Sequence, residues 1–184
     1  MVIGIDLGNK SRNSIAVVKG KKLLAYSNIK YDPKTTTTWA HRRKICAQIQ
    51  KYIDKYHLTK NDYIIFEKVN MFMRGRNSKL ANIMSLAFIQ ATIINEFSDK
   101  ISIAEVNVMT WKKQVLGNGK AKKEESVAYV ETNYPDVDLN VIVEHKRKPT
   151  EYLKDDDTAD AICIGIFGNM VEKEWFDKHL VNYM

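Results

Sequence analysis

Short β-branched runs and longer helical stripes alternate along this chain. Val2, Ile3 and Ile5 open it, a polar turn occupies 10–13, and the run SIAVV over 14–18 resumes the β pattern. A basic turn through Gly20 leads into a third run over 23–29. Three short apolar runs joined by tight polar turns predict an antiparallel meander. From 39 to 56 the period changes. Ile45, Ile49, Tyr52, Ile53 and Tyr56 recur at helical spacing and predict an amphipathic helix, with Thr38 as its N-cap. The run YIIF over 63–66 predicts a core strand, an Ala-, Leu-, Ile- and Met-rich stretch a long helix over 78–97, and 101–106 another strand. Strand, helix, strand, helix, strand after a meander predicts an α/β domain. Its sheet is mixed and five-stranded, an antiparallel meander plus parallel strands, flanked by helices.

The second half is less regular. Gly117 and Gly119 flank Asn118 and mark a turn between a short helix and a longer one over 120–133, which ends before Pro135. The charged stretch 135–154 is expected to be a loop. Residues 155–170, DDDTADAICIGIFGNM, begin acidic and become apolar on nearly all sides, as a buried helix does. The tail over 171–184 is amphipathic and charged. No internal repeat or convincing linker divides the chain, so one domain over 1–184 is expected.

Composition narrows the class. Apolar residues are 45% of 184, ordinary for a folded protein with its own core. No apolar run approaches the roughly 20 residues that span a bilayer, and the N-terminus has neither the charged nor the apolar region of a leader. A cytoplasmic protein with no membrane partner is expected. Two distant cysteines, Cys46 and Cys163, suggest buried thiols rather than a disulfide framework or a zinc site. The 29 basic residues exceed 22 acidic ones, for a net charge of +7. An excess of this sign favours polyanionic partners, because neutralised phosphates release counterions. It is concentrated in 42–44, 74–79, 112–123 and 146–148.

Against that basic background, a few carboxylates stand in apolar surroundings. Asp6 interrupts the first strand, where a lone buried carboxylate is costly without a partner. Gly8, two residues on, permits a turn or a close backbone approach. Glu67 closes the YIIF strand in the same way. Asp157 and Asp160, three apart, project from one face at the start of the last apolar helix. A hard divalent cation wants oxygen ligands, and phosphodiester chemistry often uses two ions about 3.5–4 Å apart. Acids at 155–157 also suit a helix N-terminus, with Asp157 as a cap. That reading leaves Asp160 unexplained.

IGIDLGN, IIFEKV and the D-x-x-D-A pattern at Asp157, Asp160 and Ala161 resemble the RuvC family of Holliday junction resolvases. GNGKAKKEE resembles that family's glycine–lysine segment, and order and spacing match along nearly the whole chain. The short, lysine-rich chain is most similar to the RuvC-like branched-DNA resolvases of bacteriophages of Gram-positive hosts. The resemblance implies an RNase H-like fold and a homodimer that cuts branched DNA (four-way junctions, forks and flaps) with paired nicks. It implies host cytoplasm if phage-encoded. Asp6, Glu67, Asp157 and Asp160 then hold Mg²⁺, two ions per site, with Mn²⁺ also accepted. Lys112 or Lys113, together with Lys123, falls where the family places lysines near the scissile phosphate. Lys113 and Lys123 are taken as catalytic, and Lys112, Lys120 and Lys122 as DNA-binding. Phe72 falls where the family has an apolar or aromatic residue that wedges DNA, with Arg74 and Arg76 beside it. Gly8 is expected to clear backbone beside a DNA phosphate. The long helix over 78–97 is the expected dimer interface.

Three other readings share parts of this pattern. IDLGNKSRNSIAVV also looks like the first phosphate loop of actin-like ATPases, which generally need two such domains. An RNase H-type nuclease acting on RNA–DNA hybrids would use a similar acidic set. A junction-binding protein with little cleavage would have a vestigial acidic site, and the presence of all four acids argues against that loss.

Overall fold

The computed structural model describes residues 1–8, 12–32, 34–69, 80–143 and 151–181. Its centre is a five-stranded sheet in the order β3-β2-β1-β4-β5. Strands β1 (Val2–Leu7), β2 (Arg12–Lys19) and β3 (Lys22–Lys30) form the antiparallel meander. β4 (Tyr63–Glu67) and β5 (Ser102–Val106) add to it in parallel. Helix α1 (Thr38–Tyr56) connects β3 to β4, and α2 (Leu80–Phe97) connects β4 to β5. After β5 come α3 (Val108–Leu116), α4 (Lys123–Asn133), a hairpin of β6 (Asn140–Val143) and β7 (Glu151–Lys154), α5 (Asp156–Met170) and α6 (Lys173–His179).

Side-chain alternation divides the core between the two faces of the sheet. Ile3, Ile5, Ile15, Val17, Ile64 and Phe66 pack with α1 and α2. Val2, Ala16, Val18, Ile65, Ala104 and Val106 pack with α3, α4 and α5. Helix α5 lies centrally, with every residue from Thr158 to Gly168 buried. It sits unusually close to the sheet. A Cβ on Gly4 would fall 2.3 Å from the Ala161 carbonyl oxygen, and one on Gly165 would fall 2.6 Å from Cγ2 of Val18. Only hydrogen at these two positions allows that seating.

Three expectations need correction. Residues 135–154 are not all loop, because β6 and β7 pair antiparallel from Asn140 against Lys154 to Val143 against Glu151. This hairpin is not part of the main sheet, and Ile142 and Leu153 are exposed, so burial imposes no period that a sequence could display. The cap of α1 is Thr37, whose hydroxyl accepts from the Ala40 N–H at 3.2 Å, rather than Thr38. α4 begins at Lys123 rather than 120, because Asn118 ties down the turn by accepting from the Lys120 and Ala121 N–H groups. Cys163 is buried and Cys46 partly so.

Candidate active site

The acids converge because of strand parity. On β1, Val2 and Gly4 face α5, and Asp6 continues that row. On β4, Tyr63 and Ile65 do the same, and Glu67 continues the row. Ile5 pairs with Phe66 across the parallel β1–β4 ladder, so Asp6 and Glu67 are the next residues along it. Asp157 and Asp160 enter from above, in the first turns of α5. The run of three aspartates is divided among three tasks. Asp155 is the N-cap, its Oδ1 accepting from the Thr158 N–H at 3.1 Å. Asp156 pairs with the Lys123 ammonium. That leaves Asp157, expected in one reading to be the cap, to face the other acids.

Burial raises all four carboxyls, and repulsion within the cluster adds to the rise at Asp6 and Asp160. Burial holds the Asp6 carboxyl well above the usual range, and the charges of Glu67, Asp160 and Asp157 add to the effect while Lys123 opposes it. Asp160 is pushed up to about 6 by burial, against the pull of the Ser126 hydroxyl and Lys112, with Glu67 adding to the rise. Asp157 is pushed up to about 6 by burial and then by Asp156, opposed by Lys123 and Arg12. Burial also raises Glu67, which the Trp111 indole, Lys112 and Lys123 pull back. The indole N–H of the fully buried Trp111 donates to Glu67 Oε1 at 2.7 Å, and the Gln90 side-chain amide donates to the Glu67 backbone carbonyl at 2.7 Å.

The lysines separate into two groups. Burial lowers the Lys123 ammonium, but Asp156, Asp157 and Asp160 outweigh that effect and hold it above its ordinary value. Lys112 is only 8% exposed, and its Nζ donates to the Ala121 carbonyl at 2.8 Å. Lys112 is thus buried, and its charge lowers Glu67 and Asp160. Lys113, one residue on, is exposed. It lines an open groove with Gln114, Asn118 and Lys120. Lys122 is exposed at the start of α4, where its backbone N–H donates to Glu125 Oε1 at 2.8 Å. Phe72, Arg74 and Arg76 lie outside the described residues. The space Gly8 leaves is taken by the Arg12 carbonyl oxygen, 2.2 Å from where a Cβ would stand, so its clearance serves the β1–β2 hairpin.

A family model described as "Crossover junction endodeoxyribonuclease RuvC" matches residues 2–167. The chain belongs to the RuvC family. Its members are crossover junction endodeoxyribonucleases, and that activity replaces the actin-like and RNA–DNA hybrid readings. The fold is that of RuvC. A Thermus thermophilus RuvC structure superposes with a TM-score of 0.58 at 19% identity, covering 90% of this chain and 91% of that one. T. thermophilus RuvC in complex with a Holliday junction substrate gives 0.59 at 20% identity, covering 90% of each. No curated protein sequence matches the chain.

The RuvC family implies a divalent metal nuclease, and the donor set of this chain fits one. Four carboxylates on three elements offer only hard oxygen ligands, and the buried Asp160 Oδ1 has no hydrogen-bond partner among the described residues. Among those residues, no three His, Cys, Asp or Glu side chains stand ready to clasp an ion. Sequence reasoning did not find Trp111, Gln90 or Arg12 as neighbours of the acids. The one local signal was a tryptophan set directly before Lys112 in a short helix.

Proposed function

We propose that this RuvC-family endonuclease resolves branched DNA by metal-dependent hydrolysis at Asp6, Glu67, Asp157 and Asp160. The observation that supports this most is the gathering of the four acids at one end of the sheet, where each is raised by burial and where Asp6 and Asp160 are raised further by others of the four. The four carboxylates would hold two Mg²⁺ or Mn²⁺ ions, which would supply an activated water and charge neutralisation at the scissile phosphate. Trp111 orients Glu67 through its indole N–H, and the buried Lys112 charge favours the Glu67 carboxylate. Lys123, exposed beside the acids, meets the phosphate and stabilises charge developing on its oxygens. Lys113, Lys120 and Lys122 track DNA backbone next to the site, and Phe72, Arg74 and Arg76 contact the branch point.

The acting unit is a homodimer of this single domain, residues 1–184, which makes one nick per subunit. Its interface is on the α1–α2 face, away from the acids, where Trp39, Met84 and Phe88 are exposed and Arg42 lies 5.2 Å over the Phe88 ring. No described helix is long and apolar enough to cross a membrane, which agrees with action on DNA in the cytoplasm. The short, lysine-rich chain supports placement with the phage resolvases, whose substrates extend to forks and flaps.

The test is cleavage of a synthetic four-way junction, a Y-fork, linear duplex and an RNA–DNA hybrid, with and without Mg²⁺. Asp6→Asn and Glu67→Gln should abolish cutting while junction binding persists, and retained cutting would break the ligand assignment. A single monomeric species in sedimentation at micromolar concentration would count against paired nicks.

A further inference from the structure

The strand pairing sets Ser14 directly opposite Asp6, on the same face of the sheet. Ser14 belongs to a buried polar ring that reaches α5. Asn28 Nδ2 donates to Asp155 Oδ2 at 2.8 Å and to Ser14 Oγ at 3.2 Å. Ser14 Oγ and Thr158 Oγ1 are 3.0 Å apart, and Thr158 Oγ1 donates to Asp155 Oδ2 at 2.8 Å. The Thr158 N–H closes the cap on Asp155 Oδ1. Ser14 is 0% exposed, Thr158 1% and Asp155 7%.

Only one arrangement of protons satisfies this ring. A carboxylate can only accept, so the Thr158 hydroxyl must give its proton to Asp155. The Ser14 hydroxyl then gives its proton to Thr158, and the Asn28 amide gives one proton to each end of the chain. Flipping Asn28 would point its carbonyl at the Asp155 carboxylate, so the amide orientation is fixed too. The ring joins β2, β3 and the first turn of α5. The strand row that carries it also faces Asp6, and the helix turn it caps carries Asp157 and Asp160.

We infer that Ser14, Asn28, Asp155 and Thr158 are positioning residues, which hold the two α5 acids at a set height over Asp6 so that all can share the divalent cation. This rests on the metal-site reading above. None of the four touches the reacting phosphate. They act by opposing the mutual repulsion that would otherwise move the start of α5 off the sheet. In a connected polar network each member depends on the others, so loss of one hydroxyl loosens the ring, in which only the Asn28 Oδ1 has no partner among the described residues.

Thr158→Val removes the hydroxyl and keeps the shape, whereas Thr158→Ser keeps the hydroxyl. The experiment is Mn²⁺ binding by electron paramagnetic resonance without DNA, alongside junction cleavage as a function of Mn²⁺ concentration. Thr158→Val is expected to bind Mn²⁺ roughly 10- to 100-fold more weakly, the range for groups that orient metal ligands. Its cleavage should recover substantially at high Mn²⁺, and Thr158→Ser should restore near wild-type binding. Asn28→Ala should weaken binding in the same direction. Wild-type binding by Thr158→Val, or equal loss in Thr158→Val and Thr158→Ser, overturns the inference and leaves the metal site standing. If the wild-type protein binds no Mn²⁺, the metal-site reading itself falls and the inference with it.

Discussion

Gly165→Ala tests how closely α5 must approach the sheet for the acids to meet. The added Cβ would lie 2.6 Å from Cγ2 and 3.3 Å from Cβ of Val18. Carbon atoms pack at about 3.5–4.0 Å, so α5 must retreat by roughly 1 Å or Val18 must leave its rotamer. Overpacking of this kind costs ~1–3 kcal/mol. For a chain of this length each kcal/mol is worth about 2–4 °C in Tm, giving a fall of roughly 2–12 °C. Displacement by roughly 1 Å of the groups that carry the chemistry costs on the order of 100-fold in rate. Val18→Ala removes the methyl that collides. Alone it leaves a void and costs about 1.5–3 kcal/mol. In the double variant the new Cβ occupies that void, so the two changes should offset each other by about 0.5–3 kcal/mol. The assay is a thermal-unfolding double-mutant cycle, with junction cleavage at saturating Mg²⁺ on the same four proteins. Additivity within about 0.5 kcal/mol, or full activity of Gly165→Ala alone, would refute the claim that this contact sets the height of the helix.

Two further outcomes follow from the charges. Folding raises the Asp160 carboxyl from its ordinary value to about 6, so the native state holds that proton more tightly than the unfolded chain. Stability is therefore lost as pH rises from about 4 through about 6, and the penalty is complete at neutral pH. Asp160→Asn removes it and should stabilise the metal-free protein by about 1–3 kcal/mol at pH 7.5, with the advantage fading toward pH 4 and cleavage lost. Unfolding in a chelator across this pH range checks it, and a variant less stable throughout would refute it. Lys112→Met and Lys113→Met should differ in kind. The first strands the Ala121 carbonyl, lowers stability by ~1–3 kcal/mol and moves the cleavage pH profile upward, because Glu67 and Asp160 lose a neighbouring cation. The second should leave that profile in place and reduce the salt dependence of junction binding by about one unit of slope. Identical profiles and salt slopes for the two variants would sink the distinction.

The adjacent lysines show where reading the chain stops being sufficient. Lys112 and Lys113 have the same chemistry in the same segment. Consecutive residues on a helix point about 100° apart, so one faces the acids and the other faces solvent. Which is which depends on where α3 docks, and Trp111 settles that by burying its ring and donating to Glu67. The aspartate run was similarly degenerate until Asn28 and Thr158 identified Asp155 as the cap. The β6–β7 hairpin was illegible because both strands lie outside the main sheet and carry exposed apolar side chains.

The strands of the main sheet and the long helices flanking it were legible in the sequence alone, which also singled out Asp6, Glu67, Asp157 and Asp160 as candidate ligands. Burial forces strict periods of two and near four on such elements, and a carboxylate that breaks an apolar period is visible in one dimension. Height, pairing and orientation were decided only in three dimensions. Gly4 and Gly165 set how closely α5 lies on the sheet, and the Ser14–Asn28–Asp155–Thr158 ring ties the start of that helix to β2 and β3. These relations join residues as far apart as Ser14 and Thr158, and no local pattern along the chain encodes a contact of that separation.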